Sequence, residues 1–231
     1  MMASKRMVVA LAAAAVAGLA QAQNTTPYAK MAPVDQYLMA DRKAEIALAR
    51  SAAPPSISGD AEVMVLGRDG YEVAVQGSNH FVCFVERSWD SAVGDAGFWN
   101  PNIRGPNCLN EAAARSWLPI ALMKTRLALA GKTEAEIGQA METAFSEKKL
   151  PELEPGALSY MLSKDGYLND AARHWHPHLM LFVPLAMAKT WGANLAGSPI
   201  LAGDDVSDRL TIFLIPVAHW SDGTPDEGIG H

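Results

Sequence analysis

A chain of 231 residues with 25 acidic against 19 basic side chains, a formal charge of −6, is a poor partner for nucleic acid, whose phosphates want clustered Lys and Arg. Its length suits one domain, or at most two small ones, and is enough to bury a substantial core. After the N-terminal region the longest apolar stretch, 179–188, is interrupted by Pro184 and falls far short of a membrane span, so no transmembrane segment is expected there.

At the start of the chain Lys5 and Arg6 precede an uncharged apolar run, 7–19, and Ala20-Gln21-Ala22 supplies a small-x-small cleavage site. The run is too short for an anchor, which needs about twenty apolar residues. Residues 1–22 are therefore expected to be a signal peptide, leaving 23–231 as a single globular domain in the periplasm or secreted. Losing Lys5 and Arg6 makes the remainder more acidic still.

In chain order, 23–32 is polar and reads as loose. A helix is expected over 33–52, with Tyr37, Ala40, Ala44, Ala47 and Leu48 near one stripe, stopping before Pro54-Pro55. The clearest strand signal follows: 62–66, the turn Gly67-Arg68-Asp69-Gly70, and the alternating run 71–76 form a hairpin. Gly77-Ser78-Asn79 leads into 81–86, apolar on both faces, which reads as the central strand of a meander. The Trp-, Pro- and Gly-bearing segment 88–107 reads as an ordered irregular loop.

Asn110 caps a helix that Pro119 breaks or kinks, and Ile120, Met123, Leu127 and Ala130 continue it at helical spacing to Gly131. Thr133 followed by Glu136 is a capping-box pattern, with Ile137, Met141, Ala144 and Phe145 as the buried face of the next helix. Strands are expected at 157–163, 178–183 and 210–217, and a short helix near 186–191. The sum is an α+β fold, an antiparallel or mixed sheet of about six strands with covering helices.

Cys83 and Cys108 are the only cysteines, and in an exported chain thiols tend to oxidise, so a disulfide between them is expected. Closing a loop of about 25 residues would constrain the unfolded chain by roughly 3 to 4 kcal/mol. The C-x-x-C spacing of a redox pair is absent.

Familiar catalytic motifs fail on inspection. Ala130-Gly131-Lys132-Thr133 has the tail of a phosphate loop, but Arg126 stands where its first glycine belongs. Ser146 and Lys149 fit S-x-x-K at the end of a helix rather than its start. Glu62, Glu72 and Glu86 act as acids or bases only if a pocket gathers them. Trp175 and Trp220 each adjoin a histidine and offer rings for stacking on a flat ligand, although core packing is the commoner fate of such rings.

His174-Trp175-His176-Pro177-His178 is the one constellation with metal-site spacing. On an extended segment residues two apart share a side, so His174, His176 and His178 are candidate ligands for zinc or another divalent metal, with an open position for water. Asp170, His80 or His219 would complete the set or orient a ring. The competing reading is structural, since Pro177 interrupts regular pairing; a pH-sensitive or ligand-contacting patch is a third.

The segments Gly77-Ser78-Asn79-His80-Phe81-Val82-Cys83, Pro106-Asn107-Cys108-Leu109-Asn110 and His176-Pro177-His178-Leu179-Met180 resemble those of uncharacterised secreted bacterial proteins without an assigned activity. The resemblance covers about 61–220 and implies an exported bacterial domain in which the two cysteines recur. The missing motifs favour a binding or structural protein with a small-molecule or protein ligand. The alternative is a metal-dependent enzyme, a hydrolase using a metal-bound water at His174, His176 and His178.

Overall fold

The computed structural model describes residues 27–227; the signal peptide expected over 1–22 lies outside them. Eight strands form one mixed sheet in the order β2-β1-β3-β4-β5-β6-β8-β7. They are β1 Glu62–Gly67, β2 Gly70–Val75, β3 Val82–Glu86, β4 Gly105–Leu109, β5 Leu158–Met161, β6 His178–Pro184, β7 Leu201–Asp205 and β8 Leu210–Pro216. Helices are α1 Arg42–Arg50, α2 Pro55–Ser58, α3 Glu111–Ser116, α4 Leu118–Leu129 and α5 Glu134–Ser146. The α+β class with a mixed sheet stands, but the sheet has eight strands rather than six.

The two extra strands are β4 and β7. β4 is Gly-Pro-Asn-Cys-Leu, whose first two residues read as a turn, yet all five are buried in mid-sheet. Pro106 lies opposite Val85, whose carbonyl accepts from Tyr71 Oη at 2.6 Å and from the Arg87 guanidinium. β7 is a short edge strand with Gly203, Asp204 and Asp205, a composition that carries no strand signal and blunts an exposed edge.

The hairpin forms as expected, but β3 does not continue a meander. It pairs parallel to β1, on the side away from β2. The chain crosses close over the start of β1 to get there: a Cβ on Gly77 would stand 2.1 Å from the Glu62 nitrogen, so only glycine fits. The helix expected over 33–52 is interrupted too. A 3-10 turn, Val34–Gln36, comes first, and Asp41 then caps α1 by accepting from the Lys43 N–H at 2.8 Å. Asn110, Pro119 and the Thr133–Glu136 capping box act as their chemistry dictates, with Trp117 as the joint between α3 and α4.

The sheet is covered on both faces around β1, β3 and β4. On one face α1 packs over Val63, Cys83, Val85 and Cys108. Cys83 and Cys108 face each other across β3 and β4, Cα to Cα 4.0 Å, and are joined by the expected disulfide. The other face carries the larger core, in which Phe84, Leu109 and Phe182 pack with Trp89, Trp117 and Ile137.

Two ion pairs with almost no exposure tie the layers together. Arg87, just past β3, donates to Glu45 of α1 at 2.7 Å and to the Tyr37 carbonyl at 2.7 Å. Lys124 of α4 donates to Asp208, in the β7–β8 turn, at 2.9 Å and to the Ser91 carbonyl at 2.8 Å. Breaking either by removing one partner would strand a buried charge, at a cost of about 3–5 kcal/mol.

Candidate functional site

Where β3 ends, the chain runs Glu86-Arg87-Ser88-Trp89-Asp90 through a 3-10 turn, Ser88–Asp90. The turn is fixed from several sides. Arg87 N–H donates to Asp90 Oδ2 at 3.0 Å, Trp89 Nε1 donates to Thr125 at 3.0 Å, and the Lys124 ammonium holds the Ser91 carbonyl. Trp89 points into the core, while Glu86, Arg87, Ser88, Asp90 and Ser91 line one side of a cleft of about 250 Å³.

The far wall of that cleft comes from distant parts of the chain. Trp117 and Phe182 stack with ring centroids 4.8 Å apart and planes 13° apart, and Met180 of β6 and Ile212 of β8 extend the apolar surface. Gly105 of β4, opposite Glu86, keeps room for the carboxyl: a Cβ there would stand 3.3 Å from Glu86 Oε2.

The polar groups on the near wall are incompletely satisfied. Asn107 donates to Glu86 Oε1. Ser88 is 3 % exposed, and its hydroxyl has no hydrogen-bond partner among the described residues. Asp90 Oδ1 is likewise buried and without a partner among them. Leaving such a group unmet costs about 1–3 kcal/mol, so folds retain them where something else supplies the bond.

Burial pushes the Glu86 carboxyl up to about 8, and the charge of Asp90 adds to this against the Asn107 amide and Lys124. Burial also lifts Asp90 to about 7, opposed by the Arg87 N–H and by Lys124 and Arg87. Asp208 rises to about 6, again chiefly by burial. Near neutral pH the cleft therefore presents carboxyls able to gain or lose a proton, beside an unpaired hydroxyl and an apolar wall.

The histidine segment is built differently. His178, 3 % exposed at the start of β6, bonds through Nδ1 to the His176 carbonyl at 2.7 Å, and burial lowers its pKa. His176 Nδ1 meets Asp226 Oδ2 at 2.6 Å. His174 lies edge-on to Trp220, ring centroids 5.4 Å apart, with Nδ1 3.3 Å from the Trp175 carbonyl. Asp170 is engaged elsewhere, accepting from Tyr28, Asn100 and Tyr167. The three rings thus have three separate partners, and among the described residues no group of three or more His, Cys, Asp or Glu side chains is placed to hold a metal ion. His174 and His176 instead border an open hollow of about 850 Å³ with Trp220 and Lys164.

Of the carboxylates considered from sequence, only Glu86 is gathered into the cleft; Glu62 starts β1 and Glu72 pairs with Arg42 on the surface. Ser88 and Asp90 were missed. The i, i+2, i+4 spacing of Glu86, Ser88 and Asp90 was their one available signal, hidden in a segment that reads as loop. No family model, no curated protein and no solved structure matches this chain.

Proposed function

We propose that this chain is an exported binding protein and that its ligand occupies the cleft at Glu86, Ser88 and Asp90. The carrying observation is that two buried oxygens, Ser88 Oγ and Asp90 Oδ1, have no hydrogen-bond partner among the described residues and belong to residues that line that cleft. A bound molecule with hydrogen-bond donors completes them. The apolar wall supplies contact area, the usual composition of a small-molecule site. Export rests on the leader pattern at 1–22, and the Cys83–Cys108 disulfide suits an oxidising compartment.

An NMR screen of small fragments against isotope-labelled protein tests the binding reading. Fragments that bind are expected to shift the backbone signals of Ser88, Asp90 and Gly97, and Ile103→Trp, which fills the cleft from its half-buried wall, should abolish the shifts. Hits that map only to other surfaces and persist in Ile103→Trp would overturn it. N-terminal sequencing of protein recovered from the periplasm tests export, with residue 23 expected first.

A further inference from the structure

The chemistry of the cleft narrows what it binds. Three oxygens on residues of its near wall have capacity to accept: Ser88 Oγ and Asp90 Oδ1, buried and unpartnered among the described residues, and Glu86 Oε2, the carboxyl oxygen that Asn107 leaves free. Both nearby buried cations are already committed, Arg87 to Glu45 and Lys124 to Asp208. Glu86 and Asp90 are left without an ion pair of their own among the described residues.

Opposite them, Trp117, Phe182, Met180 and Ile212 carry no charge and present mostly apolar surface. A volume of about 250 Å³, at about 30 Å³ per water-sized group, holds roughly eight non-hydrogen atoms.

We propose that the occupant is a primary alkylammonium ion, its three N–H donors taken by Ser88 Oγ, Asp90 Oδ1 and Glu86 Oε2 and its short apolar tail laid against the Trp117–Phe182 wall. This deepens the binding reading above and rests on it. An ammonium carries three donors and no acceptor, which matches the Ser88 hydroxyl oxygen and two carboxyl oxygens that become full acceptors once Asp90 and Glu86 lose their protons. A carboxylate ligand would meet two acidic groups head-on. A neutral alcohol brings one donor and leaves two acceptors unmet. A metal ion is a poorer fit, because half of its surroundings would be hydrocarbon.

Binding of a cation here exchanges for protons. Asp95 at the rim and Asp208 behind Lys124 add negative charge, Arg87 and Lys124 add positive charge, and the β6 and β8 residues facing the cleft do not titrate. Raising the pH empties the Glu86–Asp90 pair of its protons, so the affinity for an ammonium rises with pH while that for a neutral isostere does not.

The test uses butylammonium, n-butanol and butyrate, titrated into the isotope-labelled protein and followed by NMR. Butylammonium should shift Ser88 and Asp90 and bind about tenfold or more tightly at about pH 8.5 than at about pH 6, whereas butanol and butyrate bind more weakly at the higher pH value. Ser88→Ala and Asp90→Asn should each weaken butylammonium about tenfold or more, the loss expected for a hydrogen bond to a charged group; if one variant does not fold, the other carries the comparison. Butanol binding as well as butylammonium, or a butylammonium affinity indifferent to pH, overturns the ammonium assignment and leaves the cleft a binding site. No shift at the cleft from any of the three, in protein that is folded, overturns both.

Discussion

Glu86 keeps its proton to about pH 8 because burial, more than the neighbouring charge of Asp90, disfavours its ionised form. Its ordinary value is 4.5, so between those limits the folded chain holds a proton that the unfolded chain has released. Stability contributed by this group is therefore present at mildly acid pH and is lost as the pH rises through the window, by up to about 1.4 kcal/mol per pH unit. His178 works in the opposite sense, since its buried neutral ring opposes folding once the pH drops below 6.5. The contribution of Glu86 is read as a difference: the urea midpoint of wild type should fall more steeply from mildly acid to mildly alkaline pH than that of Glu86→Gln. Parallel curves for the two proteins would mean that Glu86 is ionised throughout. What the sequence reveals of this site is one wall. Glu86, Ser88 and Asp90 are close in the chain, whereas Trp117, Phe182 and Ile212 arrive by strand pairing and helix packing that no local pattern encodes.

The elements that were legible are those whose ends are written locally. The β1–β2 hairpin has its Gly70 turn, with φ of 130°, and α5 has its capping box. β4 and β7 escaped because Gly105, Pro106 and Gly203 speak against strand, and only neighbours on either side, or an edge position, make strands of them. The helix over 33–52 was overdrawn because its apolar stripe runs through Tyr37, whose ring is wholly buried by contacts outside any helix. The join between α4 and the β7–β8 turn depends on Lys124 and Asp208. Asp208→Ala leaves that ammonium buried with carbonyl partners alone and should cost about 3–5 kcal/mol in urea unfolding. The segment from His174 to His178 makes a separate prediction. With its rings committed to Asp226, Trp220 and a backbone carbonyl, equimolar zinc should leave the melting temperature of tag-free protein unchanged. A clear rise would restore His174, His176 and His178 as ligands.

Across the whole molecule, the ladders of the sheet are unequal in length. β6 and β8 share seven residue pairs, and β3 and β4 share five. By contrast β1 meets β3 through Glu62↔Val82 and Val63↔Cys83 alone, and β4 meets β5 through Cys108↔Tyr160 and Leu109↔Ser159 alone. The sulfur bridge locks β3 to β4, so the middle of the sheet cannot part there, and any parting is diverted to the thin joins beside it. One of these, between β4 and β5, separates the strand that carries Glu86 from the strands that carry Phe182 and Ile212. A guest held between those walls would act as a clasp across a hinge line, tightening the union of two halves that the backbone itself stitches only lightly.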